Sequence, residues 1–153
     1  MKTLIIYDTL YGYTEQIAKA IGGGIGGEIK VVRVGEANTY ELGAYDLILF
    51  GSPTQGGRHT KPMQEFLGKI PADALKDKKA AAFDTRMKSF WVKAFGWAAT
   101  RIAVDLKEKG ANLIAPAEGF FVKSAKGPLV DGEMERAKDW GKTLAAGKGE
   151  GGA

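Results

Sequence analysis

The stretch YDTLYGYTEQIAKAI, residues 7–21, joins the end of an apolar run to the start of a helical pattern. The run that leads into it, Thr3–Tyr7, is short and apolar, which is typical of a strand buried on both faces of a parallel sheet. After the polar turn, Ile17, Ala18 and Ile21 fall on one face of a predicted helix. The turn therefore lies at a helix N-terminus, where unpaired N–H groups and the helix dipole favour an anion.

The residues of this turn suit an anion but do not require one. Thr9 and Thr14 offer hydroxyl groups, and Gly12 lets the backbone approach a ligand closely. No Lys or Arg lies in the turn, so a phosphate there would be neutralised by backbone dipoles and hydroxyl donors. The alternative is that Thr14 caps the helix while Asp8 and Thr9 finish the strand. The turn alone leaves both interpretations open.

The rest of the chain continues this alternation of strand and helix patterns. Further strands are predicted at Ile29–Val34, Asp46–Gly51, Lys79–Asp84 and Asn112–Ile114, with an extension of the last to Phe120–Val122 left open. Helical patterns cover Thr14–Ile21 and Pro62–Ile70, and apolar stripes run from Trp91 to Leu106 and from Ala137 to Leu144. The half-polar strand at 29–34 is expected near a sheet edge. The alternation predicts an α/β fold with a parallel sheet covered on both sides.

Composition narrows the classes of function. The 153 residues include no Cys and one His, which excludes disulfides, thiol chemistry and ordinary zinc sites. We predict one domain over residues 1–146, and a disordered Gly-rich tail over 147–153. No signal peptide or membrane-spanning run is evident, so a cytoplasmic location without membrane contact is expected. The net charge of +4 favours anionic partners, but no basic run indicates nucleic acid.

A glycine-rich segment, residues 22–27, formally matches the dinucleotide motif G-x-G-x-x-G. That motif requires the glycines to follow a strand and open a helix, whereas these follow a helix and precede a strand. We therefore interpret the segment as a helix end and a loose link.

Two further polar turns have the same position as the first. GSPTQGGRHTKP, residues 51–62, and FDTRMKSFW, residues 83–91, each follow a predicted strand and lead into a helical pattern. Three polar turns at the carboxyl ends of neighbouring parallel strands form the usual crevice for a ligand.

With these three turns the chain resembles the flavodoxin family. Thr9, Tyr11, Gly12 and Thr14 match that family's phosphate loop, GSPTQGG and FDTR resemble its second and third flavin loops, and residues 127–144 resemble its closing helix. The resemblance implies a flavodoxin-like three-layer sandwich of the short-chain type. Its five-stranded parallel sheet would have the order 2-1-3-4-5, a doubly wound topology for which flavodoxin itself is a standard example.

The resemblance also implies FMN as the cofactor, with no catalytic residue and no metal ligand. The implied cofactor-binding residues are Thr9, Leu10, Tyr11, Gly12, Tyr13 and Thr14 in the first turn, Pro53, Thr54, Gln55, Gly56, Gly57 and Arg58 in the second, and Asp84, Thr85, Arg86, Met87, Phe90 and Trp91 in the third. Tyr13 replaces the family's usual Asn. The second turn has no aromatic residue, so stacking on the flavin is expected from Phe90 or Trp91.

The function that the resemblance implies is that of a low-potential electron carrier between redox proteins, rather than an enzyme with its own substrate. One alternative is an FMN-dependent NAD(P)H:quinone oxidoreductase, because residues 51–67 also resemble that group's second loop. Another is a flavodoxin-like binding module without flavin. Members of the family are typically acidic, but here the turns carry Arg58, Lys61, Arg86, Lys88 and Lys93. We therefore expect partners with acidic docking surfaces, and a monomer or weak dimer.

Overall fold

The computed structural model describes residues 1–88 and 97–147, and within them six strands form one parallel sheet. The strands are β1 (Lys2–Tyr7), β2 (Glu28–Arg33), β3 (Leu47–Pro53), β4 (Lys79–Met87), β5 (Asn112–Leu113) and β6 (Glu118–Val122). Their order is β2-β1-β3-β4-β5, and β6 also pairs with β4. The predicted order 2-1-3-4-5 is confirmed, with the fifth position shared by two short strands, and half-polar β2 lies at the sheet edge as expected.

Helices cover both faces of the sheet. They are α1 (Tyr13–Ile25), α2 (Lys61–Lys69), α3 (Ala98–Glu108) and α4 (Glu133–Ala145), and two 3-10 turns, Val34–Glu36 and Thr39–Ala44, lie between β2 and β3. Side chains of β1 point alternately to the two faces. Leu4 and Ile6 pack in the core under α2 and α3, whereas Ile5 packs in the core under α1 and α4.

Some predictions of chain organisation fall partly outside the described residues. Ala98, Ile102 and Leu106 of the predicted stripe are buried in α3, but Trp91 lies outside the described residues. The same holds for the predicted tail beyond Gly147, so the domain limits stay a prediction. Within residues 1–88 and 97–147, no helix is both long enough and apolar enough to cross a membrane.

The glycine-rich segment does contain the end of a helix, as predicted, but it is not a loose link over most of its length. Helix α1 continues to Ile25 and ends at Gly26, whose φ is 69°. A Cβ on Gly24 would lie 1.9 Å from the carbonyl oxygen of Lys138 in α4. Reciprocally, a Cβ on Gly141 of α4 would lie 2.2 Å from the carbonyl oxygen of Ile21. The two helices therefore pack backbone against backbone, and glycine is present because no side chain fits between them.

Helix α4 is fixed to strand β6 through a buried carboxylate. Glu133 Oε2 accepts a hydrogen bond of 2.7 Å from the backbone N–H of Phe121. Arg136, one turn further along the helix, donates to both carboxylate oxygens at 2.9 and 2.7 Å. These interactions, of which the hydrogen bond from Arg136 is the largest, hold the pKa of Glu133 below its ordinary value of 4.5.

The lowered pKa of Glu133 predicts a loss of stability in mild acid. A carboxyl whose pKa is lower in the folded state stabilises the fold fully above pH 4.5, and this contribution is lost as the pH falls through the folded value. We expect the free energy of unfolding to fall more steeply below pH 4.5 in the wild type than in Glu133→Gln. Urea unfolding at pH 3 to 6 measures this. Identical pH dependence in the two proteins would contradict the assignment.

Candidate functional site

The three predicted turns meet in one cleft at the carboxyl ends of β1, β3 and β4. The cleft is lined by Thr9, Leu10, Tyr11, Tyr13, Thr14, Pro53, Thr54, Gln55, Thr85, Arg86, Met87, Val122 and Ala125. The last two were not predicted from the sequence. Of the other predicted residues, Gly12, Gly56, Gly57, Arg58 and Asp84 do not line the cleft, and Phe90 and Trp91 lie outside the described residues.

The first turn presents an uncapped helix N-terminus to this cleft. Gly12 is the N-cap residue of α1, with a left-handed φ of 92°, and no side chain accepts a hydrogen bond in the capping position. The alternative that Thr14 caps the helix is therefore wrong. Its hydroxyl instead lies 2.8 Å from that of Thr85, which joins the first turn to the third. Because the N–H groups of the first helical turn lack a side-chain cap, they remain available to an anion.

A buried carboxylate and an arginine stand behind the first turn. Asp8 is only 4% exposed, and its Oδ1 accepts from the N–H of Thr9 at 2.9 Å. Its Oδ2 accepts from the Thr60 hydroxyl at 2.5 Å. Arg33 Nη2 donates to the carbonyl oxygen of Thr9 at 2.8 Å, and Arg33 Nε lies 3.4 Å from Asp8 Oδ1. The first turn therefore contacts a cation, Arg33, that lies outside the turn itself.

Sequence reasoning missed Arg33 because it looked for charge only within the turn. Arg33 ends β2, and the parallel register sets it opposite Tyr7, the last residue of β1. The predicted order placed these two strands side by side, so a signal was available: a residue at the end of β2 meets the turn that follows β1.

Within the second turn, the chain reverses over two residues, and a pair of backbone hydrogen bonds closes the reversal. The N–H groups of Gln55 and Arg58 each donate to the other residue's carbonyl, at 2.8 and 2.9 Å. Between them, Gly56 and Gly57 have φ values of 55° and 78°. Turns with positive φ at both central residues strongly favour glycine at these positions.

Helix α3 holds this second turn on both sides. The N–H of Ala98 donates to the hydroxyl of Thr54 at 3.1 Å. After the two glycines, the Nε2 atom of buried His59 lies 2.8 Å from Oδ2 of Asp105 in α3. The backbone carbonyl of His59 also accepts a hydrogen bond of 2.8 Å from the side chain of Gln64 in α2. The second turn is therefore anchored to α3 before and after its two glycines.

In the third turn, Asp84 supports the cleft from the interior and does not border it. The side chain is fully buried, and its two oxygens accept from Arg86 at 2.7 and 2.8 Å. One oxygen also accepts from the N–H of Ala99 at 2.9 Å. Burial raises the pKa of Asp84, and the Arg86 guanidinium opposes this effect. The other face of Arg86 stacks on Trp97, 3.9 Å from the ring centroid.

Exposed cations surround the cleft. We define the basic rim as Arg58, Lys88, Lys123 and Lys126, which are all exposed. Each is bonded to, or next in sequence to, a residue of the cleft lining. Among the other predicted rim residues, Arg86 is largely compensated by Asp84, Lys61 follows Thr60 at the start of α2, and Lys93 lies outside the described residues.

Comparisons with known proteins agree with this geometry. The putative diflavin flavoprotein A 3 of Synechocystis sp. is 27% identical over 152 residues, covering 95% of this chain but 24% of that protein. The chain thus spans about a quarter of that relative. A flavodoxin structure from the domain Archaea is 25% identical with a TM-score of 0.80, covering 95% of this chain and 97% of that one. The structure of oxidised Flavodoxin 2 from Bacillus cereus is also 25% identical with a TM-score of 0.80, and the match covers 95% of this chain and 99% of that one.

The family assignment rests on a match that covers most of the chain. The model of the flavodoxin domain matches residues 4–109, which include most of β1, strands β2 to β4 and all three turns of the cleft. Flavodoxins and related flavoproteins bind FMN. The chain therefore belongs to the flavodoxin family.

Proposed function

We propose that this protein is a low-potential electron carrier, which holds FMN in the described cleft and passes electrons between redox partner proteins. The observation that carries the proposal is the uncapped N-terminus of α1, which opens into a cleft bordered by the three turns of an FMN-binding family. Bound FMN supplies the electron-transfer chemistry, and the protein supplies binding, orientation and electrostatics.

The described residues fit such a cofactor. Backbone N–H groups of Leu10, Tyr11, Tyr13 and Thr14 would hold the phosphate, whereas the N–H of Gly12 already donates to the hydroxyl of Thr9. The segments Pro53–Gln55 and Thr85–Met87, which lie side by side at the ends of the paired strands β3 and β4, would hold the ring system. The stacking roles of Phe90 and Trp91 stay predictions, because these residues lie outside the described part of the chain.

The test of this proposal is the identity and behaviour of the bound flavin. We expect heat or acid to release FMN in a ratio of one per chain, identified by chromatography. FAD, or no flavin even after reconstitution, would contradict the proposal, and the second result would favour a flavin-free binding module. Steady-state NADH oxidation with a quinone acceptor would favour an oxidoreductase instead. The cytoplasmic location and the monomeric or weakly dimeric state remain predictions.

We further propose that the redox partners carry acidic docking surfaces. The basic rim around the cleft is the observation that supports this proposal. A variant with Arg58→Glu and Lys88→Glu should associate with an acidic partner more slowly at low salt, and this difference should shrink as ionic strength rises. Stopped-flow reduction by an acidic electron donor, at several salt concentrations, measures it. Lys76→Glu, which changes the charge by two units, is the control for a charge reversal away from the cleft, because Lys76 is exposed but precedes β4 at the opposite end of the sheet.

The same double variant should also lower the reduction potential of the flavin. A unit charge ~10 Å away through water contributes roughly 0.4 kcal/mol, and two reversed residues change the charge by four units. Because ~59 mV corresponds to a tenfold change for one electron, the potential for adding the second electron should fall by roughly 70 mV before screening. An unchanged potential would show that the rim does not surround the flavin.

A further inference from the structure

A carboxylate behind the first turn is an obstacle to binding a phosphate there. Asp8 comes directly before the turn, and its side chain is nearly inaccessible to water. Its contacts with the N–H of Thr9 and the hydroxyl of Thr60 are with neutral donors. A phosphate dianion held by the turn would therefore be repelled by Asp8 unless a cation offsets the charge, since charges are weakly screened in a partly buried site.

Arg33 is the cation in position to do this. Among the described residues it is the one with a charged nitrogen within 4 Å of the Asp8 carboxylate. Two further carboxylates, Glu15 and Glu36, lie in the same region, because both contribute, after burial, to raising the pKa of the neighbouring Tyr7. Glu15 has its own partner in Lys19, at 3.0 Å. Arg33 also acts electrostatically on Glu15, but its direct contacts are with the carboxylate of Asp8 and the carbonyl of Thr9.

Arg33 also fixes the geometry of the turn. Its Nη2 atom donates to the carbonyl of Thr9, and the hydroxyl of Thr9 accepts from the N–H of Gly12 at 2.8 Å. The arginine therefore holds the first residue of the turn, which in turn holds the N-cap residue of α1. A planar guanidinium can make both contacts at once, whereas an ammonium group has no such fork.

We propose that Arg33 makes the first turn competent to bind a phosphate dianion, by compensating Asp8 and by holding the carbonyl of Thr9. This proposal rests on the proposed binding of FMN and extends it. Arg33 is a positioning residue, because it acts through Asp8 and Thr9. Its effect should be specific for flavins that carry a phosphate group, since it lies behind the phosphate turn.

The experiment compares FMN with riboflavin, which has the same ring system but no phosphate. Dissociation constants for the apoprotein are measured by quenching of flavin fluorescence. We expect Arg33→Met to weaken FMN binding about tenfold or more, since removing one partner of a buried charge leaves the other uncompensated. Riboflavin binding should change by less than about threefold. The dissociation constant of Arg33→Lys for FMN should lie between those of the wild type and of Arg33→Met.

A double variant tests the role of Asp8. In Asp8→Asn/Arg33→Met the buried negative charge is gone, so FMN binding should recover at least partly relative to Arg33→Met. Lys30→Met, on the same strand but paired with Glu41, is the control and should leave the affinity for FMN unchanged. Arg33 is half-exposed, so its variants should fold, and circular dichroism of each apoprotein verifies this. Arg33→Gln replaces Arg33→Met if that variant is unfolded.

The outcomes separate this proposal from the proposed function. Equal weakening of FMN and riboflavin by Arg33→Met would show a merely structural role and overturn the proposal. No recovery in the double variant would show that Asp8 is not the charge that Arg33 compensates, which would also overturn it. Failure of the wild-type protein to bind either flavin would instead overturn the proposed function.

Discussion

Gly24→Ala is expected to destabilise the protein by about 2–3 kcal/mol or more, although alanine is the better helix former. The added Cβ would lie 1.9 Å from the carbonyl oxygen of Lys138, which belongs to a helix backbone and cannot rotate away. Helices α1 and α4 would have to separate, and the packing between them would be lost. Urea unfolding of the apoprotein measures the change in the free energy of unfolding.

The adjacent glycine provides the control. Gly23 lies in the same helix, but a Cβ there would meet no atom within 4 Å. Gly23→Ala should therefore stabilise the protein by up to ~1 kcal/mol, through helix propensity alone. Gly141→Ala, on the opposite side of the contact, should behave like Gly24→Ala. Similar effects of Gly23→Ala and Gly24→Ala would contradict the close packing of the two helices.

Leu10→Glu is expected to weaken FMN binding by about tenfold to a hundredfold. Leu10 lines the cleft within the first turn and is 50% exposed, so a polar side chain can replace it without disturbing the core. A carboxylate there would repel the phosphate by ~1–3 kcal/mol at short range in a largely aqueous setting. Thr14 is a poorer position for this test, because it is buried against Thr85 and a glutamate there would disrupt the fold.

Leu10→Gln separates charge from size in this experiment. Glutamine has the shape of glutamate without its charge, so the ratio of the two dissociation constants reports the repulsion. Riboflavin should bind both variants equally well. Titration of the apoprotein with each flavin provides the measurements. If glutamate and glutamine have the same effect on FMN binding, the phosphate does not lie at the first turn.

The sequence was sufficient for the order of the strands and for the three turns. Short apolar runs separated by helical patterns indicated a parallel sheet, and the resemblance to flavodoxins supplied the order that the structure confirms. The turns then followed from topology, because the carboxyl ends of neighbouring parallel strands meet at one edge. The sequence left open whether the last strand extends from Asn112–Ile114 to Phe120–Val122, and the structure instead has two short strands, β5 (Asn112–Leu113) and β6 (Glu118–Val122).

The pairing of charges could not be predicted in this way. Arg86 was counted among the cations that favour acidic partners, but Asp84, two residues earlier, pairs with it inside the protein. Residues two apart in a strand point to the same face, yet the sequence does not tell which of them is buried. Arg33 differs from this case: its partner Asp8 is distant in sequence, but the predicted neighbourhood of β1 and β2 would have placed the two ends together.

The helical glycines show where local propensity misleads. Three consecutive glycines, Gly22 to Gly24, indicated the end of a helix, because glycine is a poor helix former. In the structure all three are helical, and α4 packs against Gly24 at a distance that only glycine permits. No property of residues 22–24 alone contains this information, which lies in the fit between two helices distant in sequence.

The close packing of α1 against α4 also bears on the stage of synthesis at which the protein can bind FMN. Helix α1 is weakened by its glycines, so it depends on α4, which the ribosome makes more than a hundred residues later. A contact between such distant segments forms late, since loop closure must precede it. We therefore expect the first turn, which leads into α1, to become ordered only after α4 has emerged. The nascent chain should accordingly remain without flavin until α4 has been made, and FMN should select chains in which this domain has folded.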